Sequence, residues 1–233
     1  MPSCDTLYHM MASRFLKLTR PRTTGAAVLP LALFMACMTG GNLAAQESST
    51  ALNASDINQI DRAMMFAYEG RMDAASDYTQ YASLLVPGVF ALAAPTSDWP
   101  KVVAMYAGSA ALSFATRTIL KASIDRERPY MYFPDPPAGA IQDGDYLDSF
   151  PSGHTIMACT GAGFTAALFW LRYPDSPYRV PAIIGAYALA GTTVFLRLGS
   201  GSHFLSDVGA GALIGSIFGF GVPFLVDRLG WLD

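Results

Sequence analysis

The sequence predicts an all-α fold, a helical bundle with five to six hydrophobic helices that make a polytopic membrane protein. Three observations carry this expectation. The 233 residues are 52% apolar and only 14% charged, with a mean hydropathy of +0.31, which is oily for a soluble domain of that length. Five apolar runs, at about 81–94, 102–120, 156–171, 181–198 and 208–226, are separated by connections in which Pro95, Pro100, Pro174 and Pro177 mark short loops. Strand-type alternation of polar and apolar residues is essentially absent.

In chain order, residues 1–45 form a signal peptide or a first membrane helix. Arg14, Lys17, Arg20 and Arg22 precede an apolar stretch over 25–38, and small and polar residues from Gly40 to Gln46 follow it. Residues 46–78 are polar, with Ile57, Ile60, Met64 and Phe66 at roughly helical spacing, which predicts an amphipathic helix packed on the bundle or on the membrane surface. Residues 79–233 hold the five apolar runs and form the bundle proper. Several runs fall short of the ~20 residues that span a bilayer comfortably, so burial inside a soluble bundle is the alternative. The distribution of basic residues favours the membrane. With the N-terminal basic residues in the cytoplasm, alternation of the helices puts Lys101, the loop from Arg172 to Arg179, and Arg228 inside as well. The same alternation leaves the 121–150 connection and the 199–206 turn outside.

Composition also excludes partners. A net charge of −3, with no Lys/Arg-rich stretch beyond the N-terminal region, gives no electrostatic footprint for nucleic acid. The three cysteines, Cys4, Cys37 and Cys159, form no C-x-x-C pair and no Cys/His ligand spacing, so neither a zinc nor an iron–sulfur site is expected. Cys159 lies in an apolar run and reads as buried packing.

Three motifs gather the chemistry. In Lys121-Ala-Ser-Ile-Asp-Arg-Glu-Arg128-Pro129 two cations stand seven positions apart, which on a helix brings them to nearly the same face before Pro129. In isolation a basic pair near a helix end more often reflects solvation or the helix dipole. Phe150-Pro151-Ser152-Gly153-His154-Thr155 stands directly before an apolar helix. Free N–H groups there, a glycine and the Ser152 hydroxyl make an anion cradle, with an ordinary serine cap as the competing reading. Arg197-Leu-Gly-Ser-Gly-Ser-His203-Phe-Leu-Ser-Asp207 supplies a guanidinium fork and a His/Asp pair four apart. If helical, Asp207 accepts a hydrogen bond from one nitrogen of His203 and leaves the other as a lone-pair nucleophile. The bland alternative is a structural Asp–His pair at a membrane boundary.

Taken jointly and in order, these residues resemble the three signature motifs of the type 2 phosphatidic acid phosphatase superfamily, which includes lipid phosphatases, bacterial acid phosphatases and vanadium haloperoxidases. K-x-x-x-x-x-x-R-P and P-S-G-H are complete, and the third motif matches at Arg197, His203 and Asp207. It departs at Leu196, where the family pattern usually has Ser. The resemblance covers roughly 121–207 and its neighbouring helices.

The resemblance implies a phosphoric ester or pyrophosphate hydrolase. His203 would attack phosphorus and form a phosphohistidine, His154 would protonate the departing oxygen and later activate water, and Asp207 would orient His203. Lys121, Arg128, Arg197, the Ser152 hydroxyl and the Gly153 N–H would surround the phosphoryl oxygens. Three cations neutralise that charge without magnesium, so no metal and no other cofactor is expected. Asp125, Glu127, Asp143, Asp145 and Asp148 are expected as solvated loop charges. The expected substrate is a lipid phosphate or pyrophosphate at the periplasmic face of a bacterial inner membrane. A soluble periplasmic acid phosphatase, a lipid phosphotransferase and a non-catalytic lipid-phosphate-binding membrane protein are the alternatives.

Overall fold

The computed structural model describes residues 52–92 and 99–230. The segment expected as signal peptide or first membrane helix lies outside them. The described residues hold seven α-helices: α1 (Gln59–Arg62), α2 (Gly70–Leu92), α3 (Trp99–Ser123), α4 (Ala138–Gln142), α5 (Gly153–Arg172), α6 (Arg179–Gly199) and α7 (Leu205–Arg228). Each of the five apolar runs lies on one of the five long helices, allowing for the undescribed end of the first. Among the described residues there is no strand, only an isolated bridge between Arg126 and Asp148.

Two expectations about boundaries are corrected. The amphipathic segment does not form one helix: among the described residues before Gly70, only the four residues of α1 form an α-helix. The limit placed at Tyr78 falls inside α2, because the run of Arg71, Asp73 and Asp77 disguises two polar turns at the start of an apolar helix. The second concerns the first motif. α3 stops at Ser123, and Arg126 to Ser149 fold back through backbone bonds from Arg126 N–H to Leu147 O (2.8 Å), from Arg128 N–H to Tyr146 O (2.9 Å) and from Ser149 N–H to Arg126 O (3.0 Å). Arg128 therefore reaches its place on an extended strand-like segment, not along the helix of Lys121.

The bundle is organised around α5. In its apolar window 78% of the residues are buried, against 28% in α6 and 28% in α7, so α5 is the hub and the other two line the outside. All three are long and apolar enough to cross a membrane. Val180, Ile184, Tyr187 and Phe195 on α6, and Leu213, Ile217, Phe220 and Phe224 on α7, are exposed at helical spacing. Such continuous outward apolar stripes suit hydrocarbon, not water.

Small residues set the distance between α5 and α7. Gly211, Gly215 and Gly219 recur every fourth position on α7 and face α5; a Cβ at Gly215 would meet the Ile156 carbonyl oxygen at 2.2 Å, and one at Gly219 the Thr160 carbonyl oxygen at 2.4 Å. Backbones this close are the packing that apolar solvent favours, because dispersion replaces the hydrophobic drive between helices. Gly161 does the same for α2, its Cβ position lying 2.1 Å from Ser83 O. Ala158, Cys159 and Ala162 then pack against Ala186 and Ala190 of α6, while Phe164 and Leu168 pack against Val102 and Met105 of α3.

Several hydroxyl side chains within the helices are satisfied by their own helix. Ser83, Ser109, Thr160, Thr165 and Thr192 each donate a hydroxyl to the carbonyl four residues earlier, at 2.8 to 3.0 Å. A few also tie helices together, Ser113 to Thr160 at 2.7 Å and Thr193 to Thr79 at 2.9 Å.

Candidate active site

One end of the bundle collects the N-termini of α2, α5 and α7, the C-termini of α3 and α6, and the 124–152 connection. There a cavity of about 160 Å³ is lined by Asp73, Asp77, Arg117, Lys121, Arg128, Asp145, Gly153, His154, Arg197 and His203. Six of the eight residues singled out by sequence are thus brought together: Lys121, Arg128, Gly153, His154, Arg197 and His203.

The buried guanidinium groups of Arg128 and Arg197 are held by carboxylates. Arg128 donates from Nε to Asp145 O (2.8 Å) and from Nη2 to Asp145 Oδ1 (2.7 Å). Arg197 pairs with Asp73 and also donates to Ser76 Oγ at 3.2 Å. Lys121 donates to the Asp148 carbonyl at 2.5 Å and lies 3.6 Å from its carboxylate. Asp145 and Asp148 are therefore counter-ions of the cradle, a correction to their expected role as solvated loop charges. These pairs fix long side chains that would otherwise lose rotamer freedom on binding an anion.

His203 is 1% exposed, in the turn between α6 and α7. Its Nδ1 lies 2.7 Å from Ser149 O. A carbonyl oxygen only accepts, so Nδ1 carries the proton and Nε2 keeps its lone pair. Burial first, and then the charges of Arg197, Arg128, Lys121 and His154, hold the imidazole well below the ordinary histidine value of 6.5. It is neutral at pH 7. His154, on the first turn of α5, has Nε2 2.6 Å from Asp77 Oδ1, which places a proton on that nitrogen because a carboxylate accepts.

Two expected contacts are corrected. Asp207 does not hydrogen-bond His203, since the nearest approach is 3.8 Å. His203 precedes α7, so the helical spacing does not apply, and the Asp207 carboxylate instead caps α7 by accepting from Phe204 N–H at 2.8 Å. The link runs through Ser149, whose hydroxyl donates to Asp207 Oδ2 at 2.6 Å while its carbonyl receives the His203 proton. Ser152 is wholly buried and is not among the residues that line the cavity; its oxygen accepts from Thr155 Oγ1 at 3.0 Å and caps α5, as an ordinary serine cap does.

Behind His203 lies a layer to which the motifs assign no role. Arg126 bridges Asp207 Oδ1 (2.5 Å) and Asp61 Oδ2 (2.8 Å), with its guanidinium 4.3 Å from the centroid of the Phe204 ring. Asp61, 0% exposed, also accepts from Ser206 N–H (2.8 Å), Ser206 Oγ (2.6 Å) and Asn58 Nδ2 (2.6 Å). Burial alone would raise its pKa, but the hydrogen bonds from Ser206, Arg126 and Asn58 outweigh burial and lower it. Gly201 adopts φ +68°, and a Cβ there would fall 2.3 Å from Phe66 O. The 58–69 segment is thus clasped against the turn that carries His203.

On this helical bundle a buried neutral imidazole thus shares its cavity with a ring of cations and with a second imidazole that holds a proton. Residues 102–231 match the PAP2 superfamily, and the chain belongs to that superfamily, a membership that supports a phosphatase. The chain is also similar to the crystal structure of a transmembrane PAP2-type phosphatidylglycerolphosphate phosphatase from Bacillus subtilis, with 21% identity over 71% of this chain and 90% of that one and a TM-score of 0.41. No curated protein matches the chain. Asp61, Asp73 and Asp77 lie outside the matched region, so part of the site is built by residues that precede it.

Proposed function

We propose that this chain is a metal-independent phosphatase that hydrolyses a lipid phosphate or pyrophosphate through a phosphohistidine, at the periplasmic face of the membrane. The observation that carries the reading is the fixed tautomer of His203, whose Nε2 lone pair belongs to a cavity with four cationic side chains. Nε2 attacks phosphorus; the bond from phosphorus to the departing oxygen breaks, and that oxygen takes one proton from the doubly protonated form of His154, whose Nε2 proton stays with Asp77. The imidazole, now positive, is stabilised by Asp207 3.8 Å away and by the Ser149 carbonyl. Water then gives a proton to His154 and its oxygen displaces His203, releasing phosphate. Lys121, Arg128, Arg197 and the Gly153 N–H surround the non-bridging oxygens, so the charge is met by protein groups.

Lys101, Arg172, Arg179 and Arg228 all lie toward the end of the bundle opposite the cavity, which supports that end as the cytoplasmic one. Purified protein should release phosphate from lipid monophosphates or diphosphates, keep that activity in EDTA and lose it to vanadate. Loss on chelation with recovery in magnesium refutes the mechanism. In a cysteine-free background, a cysteine at exposed Asp143 should react with an impermeant maleimide in spheroplasts and one at exposed Asp175 should not. The opposite pattern reverses the orientation.

A further inference from the structure

Four cations line the cavity, and only three have a carboxylate partner. Lys121, Arg128 and Arg197 are paired with Asp148, Asp145 and Asp73. Arg117 makes no ion pair and no hydrogen bond among the described residues. Its Nε is buried without a partner, and its guanidinium lies 5.7 Å from the centroid of the Phe114 ring. An unpaired, partly buried guanidinium is costly to keep in place, and it is poised for an anion that the unliganded protein does not itself supply.

Its position says which part of a substrate it meets. Arg117 stands four residues before Lys121, so its Cα is about 6 Å further from the end of α3, toward the apolar body of the bundle. It lies over Gly153, where a Cβ would fall 2.3 Å from Arg117 Nε, and Gly153 adjoins His154. A side chain at position 153 would push the guanidinium away. Arg117 therefore flanks the side of the cavity where the proton donor acts, which is the side of the departing group. A monoester of an alcohol presents no charge there beyond the bridging oxygen. A diphosphate presents a second phosphate, whose oxygens suit a planar fork of N–H donors.

Resting on the phosphatase reading, we propose that Arg117 is a specificity-determining residue that binds the leaving phosphate of a diphosphate ester, so that the site prefers diphosphates to monophosphates. In that reaction His203 Nε2 bonds to the distal phosphorus as the bond from that phosphorus to the bridging oxygen breaks. The electron pair stays on the bridging oxygen, which departs as a terminal oxygen of the lipid monophosphate and takes up one proton from the doubly protonated form of His154, leaving that ring neutral. Arg117 holds the negative charge that this fragment gains. Water, deprotonated by His154, then cleaves the N–P bond and yields inorganic phosphate.

The test compares farnesyl diphosphate with farnesyl monophosphate in detergent micelles, using wild-type protein, Arg117→Ala and Arg117→Lys. Wild type should favour the diphosphate in kcat/KM. A hydrogen bond to a charged group contributes ~1.5–3 kcal/mol, so Arg117→Ala should lose about 10–100-fold on the diphosphate. That loss should exceed the loss on the monophosphate at least tenfold, taking ~1.4 kcal/mol per factor of ten. Arg117→Lys, a point charge without the fork, should recover part of it. If Arg117→Ala does not fold, Arg117→Lys decides alone by losing more on the diphosphate. Equal losses on both substrates, or a wild-type preference for the monophosphate, overturn the assignment and leave the phosphatase reading standing. No phosphate release by wild type from any ester overturns that reading itself.

Discussion

His203→Ala abolishes turnover of every substrate, because without Nε2 no phosphoenzyme forms whatever the leaving group. His154→Ala behaves differently. A general acid contributes ~10²–10⁴-fold, and an aryl phosphate, whose leaving group is already stable, needs little of that help in the first step. The second step still needs a base for water. With an aryl phosphate His154→Ala therefore accumulates phosphohistidine, since formation outpaces hydrolysis, whereas a lipid alkyl phosphate shows the full loss. The measurement is acid-labile, base-stable phosphate on the protein after brief mixing. Label on His203→Ala with none on His154→Ala reverses the roles. The lowered pKa of His203 adds a pH dependence. Phosphoenzyme formation should persist below pH 6.5 and fail only as the pH drops through the lowered value, where Nε2 becomes protonated.

Asp61→Ala should be the most damaging change outside the cavity. It removes the buried partner of Arg126 and leaves Ser206 N–H and the Ser206 hydroxyl without their acceptor. Breaking a buried ion pair from one side costs roughly 3–5 kcal/mol, and the lower end applies because the Arg126 side chain remains 25% exposed. Released from Asp61, Arg126 no longer holds Asp207 in a fixed geometry, so kcat should fall with KM little changed. Asp61→Asn, which keeps the shape but not the charge, should be intermediate in both. Thermal unfolding in detergent and single-turnover phosphorylation read the two effects, and a variant with wild-type melting and turnover would show that the clasp contributes nothing. Because the folded pKa of Asp61 is lowered, its contribution is present above the ordinary carboxylate value of 3.8 and is lost as pH falls through the lowered one.

The helices were legible because burial in this bundle follows apolar runs, each of which falls on one long helix. The cavity was legible because three short motifs carry six of its residues. What the sequence hid shares one physical cause: hydrogen-bond partners depend on how loops fold back. Ser149 is an ordinary loop serine until its carbonyl meets His203, and the spacing of His203 and Asp207 misled because α7 begins between them. Asp73 and Asp77 stand four apart in a polar stretch, a signal that marks one helix face but not what that face meets. Arg117, one turn before Lys121, carried a similar hint. Asp61 carried none, since apart from Asn58 the donors to its carboxylate come from residues 65 and 145 positions away.

The hydroxyls bonded to their own helices bear on how the protein is made. A serine or threonine that needed a neighbouring helix would reach hydrocarbon with a bare donor whenever its helix left the translocon before its partner. Ser83, Ser109, Thr160, Thr165 and Thr192 arrive with that donor already occupied. These hydroxyls therefore do not require lateral assembly to keep pace with synthesis; Ser113 and Thr193, which reach to another helix, do.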